Sequence, residues 1–391
     1  MFQAEIMTEE ILPYGTQWIE DDDVEAVVEV LRSDFLTTGP AVPRFEAELA
    51  RAVGAPYAVA VCNGTAALHA ACAVAGLGPG DEVLVPAVTF LSSANCARFV
   101  GAEPVFVDVH SDSGLIDLAD AERHLSERSA AIIPVHLNGR PADLEGVHAL
   151  AEAHDLVVIE DATHALGARY RDTMVGDCAF SNMAIFSFHA VKHLTTGEGG
   201  AVTTRDAERL SELAGFRNHG IVRDPERLTR PSPGPWYYEQ QTLGFNYRIT
   251  DLQCALGLSQ LAKLDRFLER RSALAARYDR LLAELPGVRP VAVSTPDTVS
   301  AYHVYAVLID FEAAGRDRSA VMEGLRARGV MTQVHYLPLP LQPYYVERGA
   351  DIDRYPGASA YYERVLSLPL YPRMRETDVD RVVRALAEVL G

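Results

Sequence analysis

A basic surface is what this chain of 391 residues lacks: 35 Lys and Arg stand against 54 Asp and Glu, a net charge of -19. A nucleic-acid backbone needs a stripe of cations that nothing here supplies, so nucleic acid is not an expected partner. Paired cysteines are missing too. Cys62, Cys72, Cys96, Cys178 and Cys254 are an odd number, none forms a CxxC, and most sit among apolar neighbours, as reduced core thiols do. That usage predicts a cytoplasmic protein, and no metal site is expected. No uninterrupted apolar run reaches membrane-spanning length, and the opening MFQAEIMTEEILPYG is acidic where a signal peptide is basic and then apolar. Neither insertion nor export is expected. Tandem repeats and low-complexity tracts are also absent. What remains is a composition 48% hydrophobic and 23% charged, able to bury a large core, most simply as two domains.

From about Tyr57 short apolar runs alternate with helical stretches: YAVAVC leads to GTAALHAACAVAG, EVLVP to SSANCARFVG, PVFVDV to a polar helix, AAIIPV to DLEGVHALAEAH, and LVVIED follows. Strands rich in Val and Ile, each with a helix-length crossover, predict a doubly wound α/β domain with a mainly parallel sheet and active groups at the strand ends. The alternation changes after GGAVTTRD, and Pro-rich RDPERLTRPSPGPWYY (223–238) marks a long loop. TDLQCALGLSQLAKLDRFLERRSALAARYDRLLAEL then carries helical periodicity from a Thr or Asp cap to Pro286-Gly287, predicting a long helix that leads out of the first domain. Smaller patterns in AYHVYAVLI, RSAVMEGLRARGV, TQVHYLP and VDRVVRALAEVL alternate strand and helix and predict a second α+β domain. The expected division is a large domain with its N-terminal segment over residues 1–250, and a connecting helix with a small domain over 251–391.

Three stretches carry chemistry. In CNGTAAL (62–68) a strand ends in Asn-Gly-Thr and a helix begins at once; free N–H groups and the helix dipole favour an anion there, and Thr65 adds a hydroxyl. In LVVIEDATHALGA (156–168) Asp161 ends an apolar strand with His164 three residues on, and a carboxylate there stays ionised only beside a donor or a cation. In SFHAVKHLTTGEGGAV (187–202) Lys192 lies between an apolar run and Gly197, Gly199 and Gly200, glycines that let backbone or a bound group approach closely. Taken singly, these are an ordinary N-cap, a strand-end cap with a hydrogen-bonded core histidine, and a lysine reaching for solvent. Taken together, a phosphate cradle, a carboxylate for a pyridinium nitrogen and a lysine for an aldehyde are the groups that pyridoxal 5'-phosphate requires. An amine partly kept from water has its pKa lowered towards that of a nucleophile and proton carrier.

The segments NGTAAL, PAVTF, EDATHALGA, SFHAVKHLTTGEGGAV, FRNHG and LGFNYRITDLQCALGLSQL, in this order, resemble those of the DegT/StrS-type sugar aminotransferases. The likeness runs from about Pro13 into the C-terminal domain, where QVHYLPL also matches. Within that family the WYYEQQTLGFNYR run most resembles the aminotransferases of the pseudaminic acid pathway, which aminate C4 of a UDP-linked 4-keto-6-deoxy-N-acetyl sugar. The resemblance implies fold type I of the pyridoxal enzymes, the aspartate aminotransferase-like α/β fold, in a homodimer whose active site is shared between subunits. It also implies glutamate as the amino donor. Residue by residue it implies Lys192 as the amine that joins the cofactor's aldehyde, Asp161 on the ring nitrogen, and Thr65, the Ala66 N–H and Ser187 on the phosphate, with Asn246 of the partner subunit reaching in. Phe90 would stack on the ring, and His164 would lie near the 3-hydroxyl, where the family often carries Gln. Arg248 would meet either the donor's carboxylate or the sugar nucleotide's diphosphate, and TTGP would line the sugar site with Thr38 and Gly39. His335 and Tyr336 receive no role.

The implied reaction is a ping-pong transamination in which one lysine serves as nucleophile, base and acid. Aminotransferases acting on 3-keto hexoses or UDP-4-keto pentoses would share every cofactor residue. A sugar 3-dehydratase of the same fold carries histidine in place of the lysine, which Lys192 opposes, and loss of Asp161 or Lys192 would have marked a non-enzymatic role.

Overall fold

The computed structural model describes residues 11–291 and 294–391. Residues 1–10, on which much of the expectation about export rests, lie outside the described residues. Seven strands form the main sheet: β1 (Tyr57–Val61), β2 (Glu82–Pro86), β3 (Glu103–Val107), β4 (Ser129–Ile132), β5 (Val157–Asp161), β6 (Met183–Ser187) and β7 (Gly200–Thr204). Their spatial order is β1-β7-β6-β5-β4-β2-β3. All adjacent pairs from β6 to β3 are parallel, and only β7 runs antiparallel to its two neighbours. Both faces are covered, which is why the strands read as continuous apolar runs. Along β1, Ala58 and Ala60 pack with Phe45 and Leu49 of a helix on one face, while Val59 and Val61 pack with Leu68 on the other.

The helices that matter for the site are α1 (Asp21–Leu31), α2 (Ala41–Val53), α3 (Gly64–Val74) and α4 (Ser92–Phe99). The long helix expected over residues 250–285 is two, α5 (Asp251–Leu261) and α6 (Leu264–Leu282). Thr250 caps α5, its hydroxyl accepting the Gln253 N–H at 3.2 Å, and the Gln253 side chain completes a capping box. No Gly or Pro marks the break at Ala262 and Lys263. Tertiary contacts hold it: the Lys263 amine lies 2.7 Å from Asp22 and 2.8 Å from Asp23 of α1, and the Gln260 amide donates to Asp23 at 2.7 Å. Helix α5 stays with α1 and α2, while α6 turns to pack elsewhere.

That second packing unit is an antiparallel sheet of β8 (Val288–Pro290), β9 (Tyr305–Ile309) and β10 (Val365–Leu368). Helices α6, α7 (Arg318–Ala327) and α8 (Glu376–Leu390) bury Leu274, Tyr278, Val321, Leu325, Val382 and Leu386 in one core with Val307 and Leu366. The TQVHYLP run, read as part of a strand-and-helix pattern, makes a single bridge from Gln333 to Ser367. It then leaves the sheet. Pro338 and Pro340 have no N–H to continue a ladder, and the Leu339 N–H donates instead to the Ala87 carbonyl just beyond β2, at 2.8 Å. This detour carries His335 and Tyr336 to the strand ends of the main sheet.

Arg271 of α6 anchors the segment that carries His303 to the strand ends. Only 1% exposed, it donates to the carbonyls of Tyr302, His303 and Leu370 at 3.1, 3.0 and 3.1 Å. Burial lowers its pKa to about 10, which leaves it charged at neutral pH. Replacing it by alanine strands three buried acceptors and opens a void, so Arg271→Ala is expected to cost roughly 3 kcal/mol or more, read as a fall in the urea midpoint.

Candidate active site

Asp161 ends β5, Ser187 ends the parallel neighbour β6, and Thr65 opens α3 just after β1, so all three meet at one edge of the sheet. The antiparallel β7 forces the chain to turn back at that same edge. Lys192 lies in this turn, its N–H donating to the His189 carbonyl at 2.9 Å. The strand ends open into a cavity of about 850 Å³ lined by Thr65, Ala66, Phe90, Asp161, His164, Ser187 and Lys192. Seven of the residues singled out in the sequence are thus brought together. Tyr14, His303, Gln333, His335 and Tyr336 complete much of the wall.

The cradle is built around the start of α3. Asn63 caps the helix, its Oδ1 accepting the Ala66 N–H at 2.8 Å. That bond occupies the very N–H expected to face a phosphate, and the first-turn N–H groups of Gly64 and Thr65 are the ones without an intrahelical acceptor. The Thr65 hydroxyl lies 2.7 Å from that of Ser92. Gly200 makes the cradle possible: a Cβ there would fall 2.6 Å from the Asn63 backbone, so only glycine lets β7 pass.

Asp161 is 3% exposed and acts as an acceptor only. Oδ2 accepts the Ser93 hydroxyl at 2.6 Å; Oδ1 accepts the Thr163 hydroxyl at 2.7 Å and the Thr163 N–H at 3.2 Å. The Lys192 amine makes no hydrogen bond or ion pair among the described residues. Burial drives its pKa down to about 8, against the opposing pull of the Asp161 charge. His164 Nε2 stands 3.1 Å from the Tyr336 hydroxyl, its Nδ1 is buried without a partner, and its ring centre is 4.2 Å from that of His303. Burial, reinforced by the charge of Lys192, pushes the pKa of His164 far below the usual histidine range and that of His335 to about 3. Both rings are therefore neutral at physiological pH. Phe90 stands half-exposed on the wall, 6.0 Å from the Tyr336 ring.

Four expected residues lie elsewhere. Asn246 forms a backbone bridge with Asn218, and the Arg248 guanidinium donates to Asn218 Oδ1 at 2.8 Å. The Gly39 N–H donates to Asp251 Oδ2 at 2.8 Å, and Thr38 adopts φ 56° in the same turn. None of them lines the cavity of its own chain. Sequence reasoning in turn missed Ser93 and Thr163 and gave Tyr336 no role. Thr163 was legible, because an Asp accepting the N–H two residues on is a familiar local turn. Ser93 stands 68 residues from Asp161 and Tyr336 stands 172 from His164, and no local pattern links them.

The residues present fit pyridoxal phosphate. Hydroxyls and free N–H groups at a helix start suit a dianion, Gly200 leaves the cradle open, and an accepting carboxylate shares the cavity with an amine of lowered pKa. Such a site at the strand ends of this α/β fold is that of a pyridoxal-phosphate-dependent enzyme. The chain belongs to the DegT/DnrJ/EryC1/StrS aminotransferase family, whose model matches residues 17–387. It is 39% identical, over 97% of both chains, to the spore coat polysaccharide biosynthesis protein SpsC of Bacillus subtilis. A putative sugar aminotransferase, Spr1654 of Streptococcus pneumoniae, solved in its PLP form, superposes with a TM-score of 0.89 at 31% identity, covering 97% of this chain and 98% of that one. PseC of Helicobacter pylori, an aminotransferase of pseudoaminic acid biosynthesis, gives the same TM-score at 29% identity, covering 97% and 99%.

Two outcomes follow from this geometry. Gly200→Ala drives a methyl into the Asn63 backbone; it should cost about 1–3 kcal/mol in thermal unfolding and weaken pyridoxal phosphate binding, measured by equilibrium dialysis. Because the neutral amine is the nucleophile, covalent capture of the cofactor by cofactor-free protein should accelerate as pH rises through about 8. Between pH 7 and 9 the gain should be roughly tenfold, followed by visible absorbance.

Proposed function

We propose that this enzyme moves the amino group of glutamate to C4 of a UDP-linked 4-keto-6-deoxy-N-acetyl-hexose, giving a 4-amino-4,6-dideoxy sugar nucleotide and 2-oxoglutarate. The observation that carries the reading is the meeting of Lys192 and Asp161 on one cavity, close enough for the charge of one to act on the other. Two relatives support the sugar, one in spore coat polysaccharide biosynthesis and one in pseudoaminic acid biosynthesis.

When bound, pyridoxal phosphate supplies a carbon that takes up the amino group and a ring that accepts electrons from the substrate carbon. Asp161 holds the proton on the ring nitrogen. Lys192 Nζ would move one proton in each half: from the α carbon of glutamate to the cofactor carbon that takes up the amino group, and then from that carbon to C4 of the sugar. An amine with a pKa of about 8 can do both near neutral pH. The hydroxyls of Thr65 and Ser187 and the free N–H groups of Gly64 and Thr65 at the start of α3 would hold the phosphate; Phe90 would cover one ring face, and His164 would meet the 3-hydroxyl.

Among the described residues that line the cavity, Lys192 is the sole Lys or Arg. A phosphate, a dicarboxylate donor and a nucleotide diphosphate call for further cations and donors. This shortage supports a homodimer in which Asn246 of the partner subunit reaches the phosphate and Arg248 binds the donor carboxylate or the diphosphate, with Thr38 and Gly39 at the sugar end. We read residues 1–250 as the cofactor-binding domain, 251–391 as the connection and small domain, and the cytoplasm as the location. No helix among the described residues is long and apolar enough to cross a membrane.

Incubating the holoenzyme with glutamate and a panel of nucleotide 3-keto and 4-keto sugars, followed by mass spectrometry, should show amination of the UDP-4-keto-6-deoxy-N-acetyl sugar. Borohydride should fix the cofactor on Lys192. Products from 3-keto sugars alone would overturn the C4 assignment, and a label on another lysine would remove Lys192 from the mechanism.

A further inference from the structure

The segment from Thr89 to Ser93, which leads from β2 into the first turn of α4, touches three parts of the site. Phe90 stands on the cavity wall, Ser92 touches the Thr65 hydroxyl at 2.7 Å, and Ser93 donates to Asp161 Oδ2 at 2.6 Å. Ser93 is fully buried and Thr89 is 2% exposed, their hydroxyl oxygens 2.8 Å apart. A hydroxyl has one proton, and that of Ser93 goes to the carboxylate. Thr89 is therefore the donor to Ser93. Two hydroxyls point head to tail at one carboxylate oxygen, and donors in series polarise one another, while Thr163 occupies the other oxygen.

We propose that Ser93, backed by Thr89, is a positioning residue that keeps Asp161 a charged acceptor aimed at the ring nitrogen of bound pyridoxal phosphate, and so keeps the proton on that nitrogen. The proposal rests on the reading of Asp161 and Lys192 given above. Without the Ser93 donor, the buried negative charge on Oδ2 is unmatched, and the shared proton shifts from the ring towards the carboxylate. A less positive ring then tolerates a second positive charge more readily on the nitrogen that joins Lys192 to the cofactor. The ionisable groups that act on or feel Asp161 are Lys192 from the turn after β6, Tyr336 from the detour after α7, and Cys96 from α4. Substitutions at Ser93 and Thr89 leave all three in place.

The test is a pH titration of the visible absorption of the holoenzyme. Ser93→Ala should raise the midpoint by about one pH unit and lower kcat roughly tenfold, with a smaller change in KM for glutamate. Thr89→Val keeps the side-chain shape and should move the midpoint the same way by less. Asp161→Asn serves as the reference for a ring without its carboxylate. If Asp161→Asn shifts the midpoint while Ser93→Ala and Thr89→Val titrate with the parent enzyme, the role given to Ser93 is wrong and the cofactor reading stands. A loss of Tm without a shift in midpoint overturns that role in the same way. If Asp161→Asn titrates like the parent, or borohydride leaves no cofactor on Lys192, the underlying reading fails first.

Discussion

Burying the Lys192 amine within the field of Asp161 puts two opposing demands on the fold. Exclusion of water drives the proton off the amine, the carboxylate draws it back, and the balance falls at about 8. Such a balance holds only if neither group can move. The parallel pair β5 and β6 fixes Asp161 and Ser187 side by side, and the antiparallel β7 returns the chain so that the turn bearing Lys192 folds over the same edge. Hydrogen bonds from Ser93 and Thr163 then occupy both carboxylate oxygens, which restricts the acid to one orientation.

The C-terminal third serves this arrangement from the other side. Its sheet is small, yet two of its connections leave it to reach the cavity: the segment with His303, anchored by the buried Arg271, and the 333–341 detour with His335 and Tyr336. Tyr336 meets His164 across a gap of 172 positions in sequence. The histidines gathered there stay neutral because burial and the nearby amine both oppose their protonation. They add hydrogen-bonding capacity near Lys192 without adding charge, so the amine's own pKa is left to burial and Asp161.

Much of the fold was legible because the signals are local. An apolar run, a glycine-containing turn and a helical period each lie within a dozen residues, so the order of strands and helices through β5 could be read directly, as could a cap by Thr or Asp, of which the chain uses Thr250. The two helices of residues 251–282 read as one because their division comes from Lys263 and Gln260 meeting the acids of α1, more than two hundred residues away. The TQVHYLP run carries apolar residues in a strand-like pattern, but its neighbours in space are the main sheet's strand ends, and its prolines stop it from pairing further.

The sequence by itself determined which residues have the chemistry: an amine before glycines, an acid at the end of an apolar strand, and a hydroxyl at a helix start. Side-chain type and local backbone preference are properties of short stretches. Tertiary structure alone decided that these groups share one cavity, that Ser93 loads the acid, and that Asn246 and Arg248 stand off the cavity of their own chain. Burial, hydrogen-bond partners and the field around an ionisable group depend on residues distant in sequence, and they exist only once the chain has closed on itself.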